Sequence, residues 1–359
     1  MFVRVVLTTL VLLLATNIFG QSGRVKKKAE KEKTKKTEKN VGYVPTQSVK
    51  KKTPDTGAKV SPSPTPTRKP DDDLINVESA LVPIPVSVID SLSGRAINDL
   101  DLKDFELKID GLVVKIGELF RSESPVRLTM LFDNSSSVTV AREFEQKAGI
   151  KFFRQVIRPN KDLAALYSVA GISQLEQPMT KDISALIRSI KSFAKPQGAT
   201  ALHDGIVEAS NYLEDYSGRR VIVIVSDGQD TLSDTSFDEM VKIVQESNCQ
   251  VYIVHTNEFE NFKRTGSRDG SANIRGLAAE RRMKTLANET GGAVYSPIDE
   301  RELDAAFARI SAELSQQYVL GYYPEEELKD GRFRTIDLQI KTRKNLTVRS
   351  RKGYYVSKK

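Results

Sequence analysis

Apolar residues recur along the chain in two alternating patterns, one with the spacing of strands and one with the spacing of helices. Short apolar runs predict strands at 127–132, 163–170, 221–226, 250–255 and 293–296. Between and after them, apolar residues at helical spacing predict helices at 138–157, 183–193, 202–213, 237–246, 274–289 and 302–314. Such alternation is typical of a mostly parallel sheet covered by helices on both faces. We therefore predict a doubly wound α/β domain.

Both ends of this α/β region change to a period of two, which predicts strands. Residues 82–89 alternate apolar and polar positions, and Pro83 and Pro85 indicate that this strand begins at a sheet edge. Asp110-Gly111 lies between two alternating runs, 105–109 and 112–116, and is typical of a hairpin with a type I′ turn. Three further strands are predicted at 317–323, 332–341 and 346–355. We expect the two ends to form one small β-module.

These patterns divide the chain into segments of different character. The polar segment 257–273 follows a strand and is predicted to be a mobile loop insertion; the alternative is that it shapes a partner surface. The predicted ranges are a signal peptide at 1–20, a disordered basic linker rich in Pro and Lys at 21–75, an N-terminal β segment at 80–122, the α/β domain at 125–318 and a C-terminal β segment at 319–357 that packs against 80–122.

The net charge of +8 comes from the segment before the predicted domains. In residues 24–69, Lys and Arg exceed Asp and Glu by 11, so residues 70–359 carry a net charge of −4 once this excess and Arg4 are subtracted. A basic segment can contact an anionic surface or serve only as a soluble spacer, and neither indicates specific nucleic-acid binding. Arg4, the apolar run 5–19 and the small residue Gly20 at a plausible cleavage point predict an exported protein, periplasmic or secreted; an uncleaved membrane anchor is the alternative. Cys249 is the only cysteine and is predicted to be a buried, inert thiol.

Oxygen-bearing side chains gather at the predicted strand ends. Asp133, Ser135 and Ser137 follow the strand at 127–132, and Asp227 follows the strand at 221–226. Thr200 lies just before the helix at 202–213. Because ligands bind outside the carboxyl ends of strands in such sheets, we expect these five residues to meet at one edge, in turns that face solvent. Carboxylates and hydroxyls suit a hard divalent cation such as Mg²⁺.

This constellation resembles the metal-ion-dependent adhesion site of the von Willebrand factor type A domain, over about residues 125–318. The resemblance implies that Ser135 and Ser137 bind the metal directly, and that Thr200 does so directly or through water. Asp133 and Asp227 would act largely through water. The metal would be Mg²⁺, or Mn²⁺ or Ca²⁺, and a vacant coordination position would take an acidic residue of a protein partner.

The flanking segments resemble an exported bacterial group, the VWFA-related Acidobacterial domain. This second resemblance implies architecture more than function. The motifs that carry it are Asp104-Phe105, Asp110-Gly111, Gln317-Tyr318, Leu320-Gly321-Tyr322, Asp330-Gly331-Arg332-Phe333-Arg334 and Arg351-Lys352-Gly353-Tyr354-Tyr355.

We predict a binding or adhesion module that recognises a partner through the cation, and not an enzyme. An alternative is an envelope-associated structural protein held by its basic segment, with the metal only stabilising the fold. A second is a hydrolase using the same metal, for which His203 and Asp204 with Ser137 are the candidate residues. No nucleophile-elbow motif accompanies them, and Asp204 is better interpreted as a first-turn carboxylate of a helix. Two further candidates are a calcium loop of Asp227, Asp230 and Asp234, which lacks an EF-hand pattern, and His255, which we predict to be a hydrogen-bonded structural histidine.

Overall fold

The fold is described from a computed structural model, which describes residues 81–122, 124–267, 274–324 and 329–356. The predicted signal peptide, the whole of the predicted linker and residue 80, the first of the predicted N-terminal β segment, lie outside the described residues. The strands are β1 (Val82–Asp90), β2 (Phe105–Ile109), β3 (Leu112–Val114), β4 (Ile116–Ser122), β5 (Val126–Asp133), β6 (Leu163–Val169), β7 (Ser173–Thr180), β8 (Arg219–Ser226), β9 (Gln250–His255), β10 (Ala293–Tyr295), β11 (Gln317–Tyr322), β12 (Phe333–Ile340), β13 (Leu346–Ser350) and β14 (Gly353–Tyr355). The helices are α1 (Arg142–Val156), α2 (Ile183–Ser192), α3 (Leu202–Glu214), α4 (Phe237–Glu246), α5 (Asn257–Thr265), α6 (Ile274–Thr290) and α7 (Glu300–Ser315).

A six-stranded sheet with the order β10-β9-β8-β5-β6-β7 forms the α/β part. Neighbouring strands are parallel except β7, which is antiparallel to β6. The central strands are apolar at successive positions because both of their faces are covered: Leu131 packs in one apolar cluster and Phe132 in the other. The predicted doubly wound, mostly parallel sheet is confirmed.

The β-module is made of two four-stranded sheets that share one apolar cluster. One has the order β13-β1-β11-β4 and the other β14-β12-β2-β3, so strands from both chain ends pair in each sheet. Asp110 and Gly111 both have positive φ, as a type I′ hairpin turn requires. β13 pairs with β1 only from Val86 onward, so Pro83 and Pro85 lie where this side of β1 is unpaired. The predicted module of both chain ends is confirmed.

The structure differs from the predicted elements at four places. The predicted hairpin strand 112–116 ends at Val114 as β3, and residues 116–122 form the unpredicted strand β4, which pairs with β11 in the other sheet. The single strand predicted at 346–355 is two strands, β13 and β14, which belong to different sheets. β7 was not predicted, because its sequence is polar and contains Pro178, which suits an edge strand. The segment predicted as a loop at 257–273 begins with helix α5, whose Phe259 is buried against the core; residues 268–273 lie outside the described part.

A buried ion pair joins the β-module to the α/β part. Glu313 of α7 is fully buried and accepts a hydrogen bond from Arg349 of β13 at 2.7 Å. The hydroxyls of Tyr252 and Tyr295 lie at 3.0 and 3.1 Å from the same carboxylate. Both oxygens of this carboxylate are therefore satisfied.

Within the described ranges, no helix is both apolar enough and long enough to cross a bilayer.

Candidate metal centre

Strand order reverses between β5 and β8, and the predicted site lies at this reversal. β6 and β7 continue the sheet on one side of β5, whereas β8, β9 and β10 continue it on the other. Asp133 is the last residue of β5, and Asp227 comes directly after β8, its parallel neighbour. Thr200 lies two residues before α3. The fold therefore places the three loops at the edge where doubly wound sheets bind ligands.

Backbone hydrogen bonds hold these loops to one another. The amide and hydroxyl of Ser136 donate to the carbonyl of Gly198 at 3.2 and 2.8 Å. The amide of Thr231 donates to the carbonyl of Thr200 at 2.9 Å. The loop that follows β5 is thus joined to the loop before α3, which is joined to the loop after β8. Such bonds fix the positions of the predicted ligands before any ion arrives.

Asp133 is a buried carboxylate close to a second one. It accepts hydrogen bonds from the amide of Ser135 at 3.0 Å and from the hydroxyl of Ser226 at 2.6 Å. Burial, followed by the charge of Asp227, raises the pKa of Asp133 to about 6. Asp133, Ser135 and Asp227 are each about 1% exposed, so the expectation that these turns face solvent is wrong for them; Ser137 is exposed.

The donor atoms available at this edge are all oxygens. The hydroxyls of Ser135 and Ser137 lie 2.9 Å apart, and the Asp227 carboxylate accepts hydrogen bonds from the amide and side chain of Gln229, both at 2.9 Å. Within the described residues, no group of three or more His, Cys, Asp or Glu side chains could hold a metal. A cation here would therefore need the hydroxyls as well as the carboxylates. Two buried, mutually repelling carboxylates beside paired hydroxyls fit a hard divalent cation; the ligand role of each residue stays a prediction.

The sequence analysis missed four side chains around this edge. Ser226 donates to Asp133, and Arg142 donates to the backbone carbonyl of Asp133 at 3.5 Å. Glu145 and Glu260 are acidic neighbours of Asp133 whose pKa values are raised, first by burial. The one available signal was a serine directly before Asp227 in an apolar strand. The two glutamates belong to helices, and only the packing of those helices brings them near Asp133.

The candidate catalytic residues have structural roles here. Nδ1 of His203 lies 3.2 Å from the carbonyl of Thr235, and Asp204 accepts hydrogen bonds from the amides of Asp234 and Thr235, both at 3.0 Å. Both residues therefore hold the loop after β8 against α3. Asp230, in the loop after β8, also joins that loop to α3, because its carboxylate accepts hydrogen bonds from the amides of Leu202 and His203 at 2.7 and 3.2 Å. These bonds account for the carboxylates of Asp204 and Asp230 without a calcium loop.

His255 is buried, as predicted, but is not hydrogen-bonded as predicted. Neither ring nitrogen has a hydrogen-bond partner among the described residues. Burial lowers the pKa of this histidine, which favours the neutral ring. Cys249 is buried and free, in agreement with an inert thiol, and burial raises its pKa to about 12.

Fold and site together define an α/β domain of the class that binds ligands where strand order reverses. Residues 128–229 match the family model of the von Willebrand factor type A domain, and this part of the chain is a domain of that family. The narrower resemblance of the flanks to the exported bacterial group stays a prediction. Comparison with curated proteins found no match.

Several solved structures are similar to parts of the chain. One is the conserved hypothetical protein BatB from Bacteroides thetaiotaomicron, with 17% identity and a TM-score of 0.41, covering 52% of this chain and 98% of that one. Another is the vWF domain of the type V pili tip protein Mfa5 from Porphyromonas gingivalis, with 23% identity and a TM-score of 0.29, covering 30% and 39%. A third is the pilus adhesin SpaC from Lactobacillus rhamnosus GG, with 9% identity and a TM-score of 0.43, covering 72% and 49%.

Proposed function

We propose that this protein is an exported binding module that recognises a protein partner through a divalent cation, Mg²⁺ or else Mn²⁺ or Ca²⁺. The cation would be held by Ser135 and Ser137 directly, and by Thr200 directly or through water. Asp133 and Asp227 would act largely through water. A position of the cation left free by the chain would accept a carboxylate of the partner, so that neither protein alone completes the coordination.

The observation that carries this proposal is the pair of buried carboxylates at the edge of the sheet. Asp133 and Asp227 are almost fully buried, and burial first, then the charge of Asp227, raises the pKa of Asp133. Two like charges in a buried place destabilise a fold unless an opposite charge joins them. A divalent cation would supply that charge, and the neighbouring serine and threonine hydroxyls would supply further oxygen ligands.

Exposed apolar side chains around the same edge support a protein partner. Val140 follows the loop after β5 and is 66% exposed, and Ile172 lies in the turn after β6 and is 80% exposed. Leu232, in the loop after β8, is 55% exposed, and its side chain would lie 3.4 Å from a Cβ placed on Gly171. Large apolar residues clustered on one surface are typical of protein-binding sites. A partner would thus meet the cation at the centre and apolar contacts around it.

The contacts of His203 and Asp204 support a non-enzymatic role. A hydrolase would need a general base beside the reacting atoms. The two candidates that the sequence offered, His203 and Asp204, are engaged with backbone groups of the loop after β8. Export is supported by Arg4, by the apolar run 5–19 and by the small residue Gly20 at a plausible cleavage point.

The test is capture of partners from a native envelope extract by the immobilised full chain. We expect capture in Mg²⁺, loss in chelator, and recovery when Mg²⁺ returns. Ser137→Ala should weaken capture because it removes an exposed predicted ligand at little expected cost to folding. Asp238→Ala, an exposed acid on α4, is the control and should capture as wild type does.

Two further variants separate the cation from the apolar surface. Ile172→Ser and Leu232→Ser should weaken capture while leaving Mg²⁺ affinity unchanged, since neither side chain is a predicted ligand. Capture that persists in chelator and in Ser137→Ala would contradict metal-dependent recognition. It would favour the structural alternative, particularly if moderate salt abolished it by screening the basic segment.

A further inference from the structure

Glu145 is a fully buried carboxylate without a hydrogen-bond partner. It lies in the first turn of α1, directly after the loop that carries Asp133, Ser135 and Ser137. Its exposure is 0%, and neither carboxylate oxygen is hydrogen-bonded to any residue that the structure describes. Buried carboxylates in proteins are nearly always paired with a cation or with several donors. Glu145 therefore calls for a ligand that the described residues do not supply.

The charged groups around Glu145 do not provide that ligand. Asp133 and Glu260 are acidic and repel it. Arg142 is close enough to attract it, but the two Arg142 terminal nitrogens donate to the backbone carbonyls of Asp133 and Ala194, at 3.5 and 3.2 Å. The pKa of Glu145 is consequently raised well above its ordinary value, first by burial and then by Asp133.

Two more oxygen atoms next to Glu145 lack a hydrogen-bond partner among the described residues. Thr256 lies just before α5, is fully buried, and interacts with the Glu145 carboxylate, yet its hydroxyl has no partner of hydrogen-bond geometry among the described residues. Oε1 of Glu260, one turn into α5, is buried and equally unpartnered within the described chain. Four oxygen atoms of α1, of α5 and of the residue before α5 thus lack a hydrogen-bond partner among the described residues: both of the Glu145 carboxylate, one of Glu260 and the Thr256 hydroxyl.

The packing of α5 on α1 accounts for this proximity. Phe144 and Phe259 stack with their ring centroids 4.0 Å apart and their planes 11° apart, and both are buried. The residues that follow them in sequence are Glu145 and Glu260. The apolar stack fixes α5 in place, so the two carboxylates stay near each other in spite of their repulsion.

We propose that Glu145, Glu260 and Thr256 form a second divalent-cation site between α1 and α5, next to the predicted metal centre. Two carboxylates and a hydroxyl, completed by water, are the oxygen ligands that Ca²⁺, Mn²⁺ and Mg²⁺ take in proteins. The inference does not rest on the proposed function, because its three ligands are distinct from the five predicted at the strand ends.

The two sites are connected through Ser226. The amide of Thr256 donates to the Ser226 carbonyl at 3.1 Å, and the Ser226 hydroxyl donates to Asp133 at 2.6 Å. A cation at the second site would neutralise the charge that Glu145 and Glu260 exert on Asp133 and Asp227. Occupation of one site should therefore change the affinity of the other.

The experiment is a titration of the full chain with Mn²⁺, following free Mn²⁺ by electron paramagnetic resonance. We expect about two ions per chain for wild type and about one for Glu145→Gln/Glu260→Gln. Ser135→Ala/Ser137→Ala should also bind about one, by loss of the other site. Glu143→Gln, an exposed acid in the same turn of α1, is the matched control and should bind as wild type does.

The outcomes distinguish the two sites. If wild type binds a single ion that disappears in the serine variant and persists in the glutamate variant, the second site is wrong and the proposed function stands. If that ion disappears only in the glutamate variant, the second site stands and the proposed metal centre falls. No binding by wild type would overturn both. If the double variant fails to fold, Glu260→Gln alone, at a partly exposed position, replaces it in the Mn²⁺ titration with the same expected result.

Thermal unfolding supplies a readout that does not depend on counting ions. Without metal, Glu145→Gln should melt no lower than wild type, because it removes a buried, repelled carboxylate. With Mn²⁺, wild type should melt higher than the variant. A variant that melts lower than wild type without metal, and gains as much from Mn²⁺, would show that Glu145 stabilises the fold by itself and would overturn the site.

Discussion

Glu145 and Glu313 are both completely buried, yet their surroundings differ. Glu313 has Arg349 at 2.7 Å and the hydroxyls of Tyr252 and Tyr295 at 3.0 and 3.1 Å. Glu145 has acidic neighbours and no hydrogen-bond partner among the described residues. The first arrangement joins the β-module to the α/β part, and it is complete in the chain as it stands. The second is incomplete, and it lies beside the edge where the sequence predicts a cation. We therefore interpret Glu313 as a structural residue and Glu145 as a candidate cation ligand.

The largest expected effect comes from removing residues 332–359. This deletion takes away β12, β13 and β14 together with Arg349, so Glu313 loses its ion-pair partner and β1 and β2 each lose one of their two partner strands. Hydrogen exchange should show lost protection across 82–109 and retained protection in β5 and β8. Unchanged protection across 82–109 would mean that the two ends fold independently.

Arg349→Met tests whether Glu313 needs its ion pair, because it removes the ion-pair partner of that carboxylate and leaves the rest of the chain unchanged. A buried carboxylate that loses its cation typically destabilises a fold by about 3–5 kcal/mol. We expect urea unfolding to show a loss in that range, with Lys341→Met, at an exposed position, within about 0.5 kcal/mol of wild type. Equal stabilities of Arg349→Met and Lys341→Met would mean that Glu313 does not need its ion pair.

Metal should stabilise the incomplete region. An ion present at a hundredfold excess over its dissociation constant raises the free energy of unfolding by about 2.7 kcal/mol when it binds only the native state. We expect this gain with Mg²⁺ for wild type and a much smaller gain for Asp133→Asn. The asparagine keeps the size of the buried side chain and removes its charge. A gain of the same size in both proteins would place the bound ion elsewhere.

The smallest expected effect is that of pH on metal affinity. The ion requires ionised Asp133, whose pKa is raised to about 6, so Mg²⁺ affinity should fall roughly tenfold between pH 7 and pH 5. In the metal-free chain, the stability of the fold changes with pH in the opposite direction to the metal affinity. Because the folded-state pKa is raised above the ordinary value of 3.8, stability should decline as pH rises from about 4 to about 6. Calorimetry at pH 5, 6 and 7 measures the Mg²⁺ affinity. A pH-independent affinity would contradict the role of Asp133.

Sequence patterns predicted most of the fold because most elements carry a clear apolar period. Helix α4 and strand β9 begin and end at the predicted residues, 237–246 and 250–255. β7 was not predicted because an edge strand exposed on one side needs no apolar run. α5 was not predicted because its buried face rests mainly on Phe259. The break between β13 and β14 depends on which sheet each half pairs with, which local sequence does not encode.

The site was predictable only in part, and for a similar reason. Asp133, Ser135, Ser137, Thr200 and Asp227 follow or precede recognisable elements, so their convergence follows from the topology. Their burial did not follow, because it depends on the loops that cover them. Glu145 and Glu260 are 115 residues apart, the first in a predicted helix and the second in a segment predicted to be a loop. Only the stacking of Phe144 on Phe259 brings them to the same place.

The most direct test of the central claim is the anomalous scattering of Mn²⁺ in crystals of the full chain grown with that ion. The account predicts a peak at the end of β5 and β8, in contact with the hydroxyls of Ser135 and Ser137, with Asp133 and Asp227 joined to it largely through water. A well-ordered crystal that holds Mn²⁺ elsewhere, or holds none, with the two serine hydroxyls still hydrogen-bonded to each other, would contradict it.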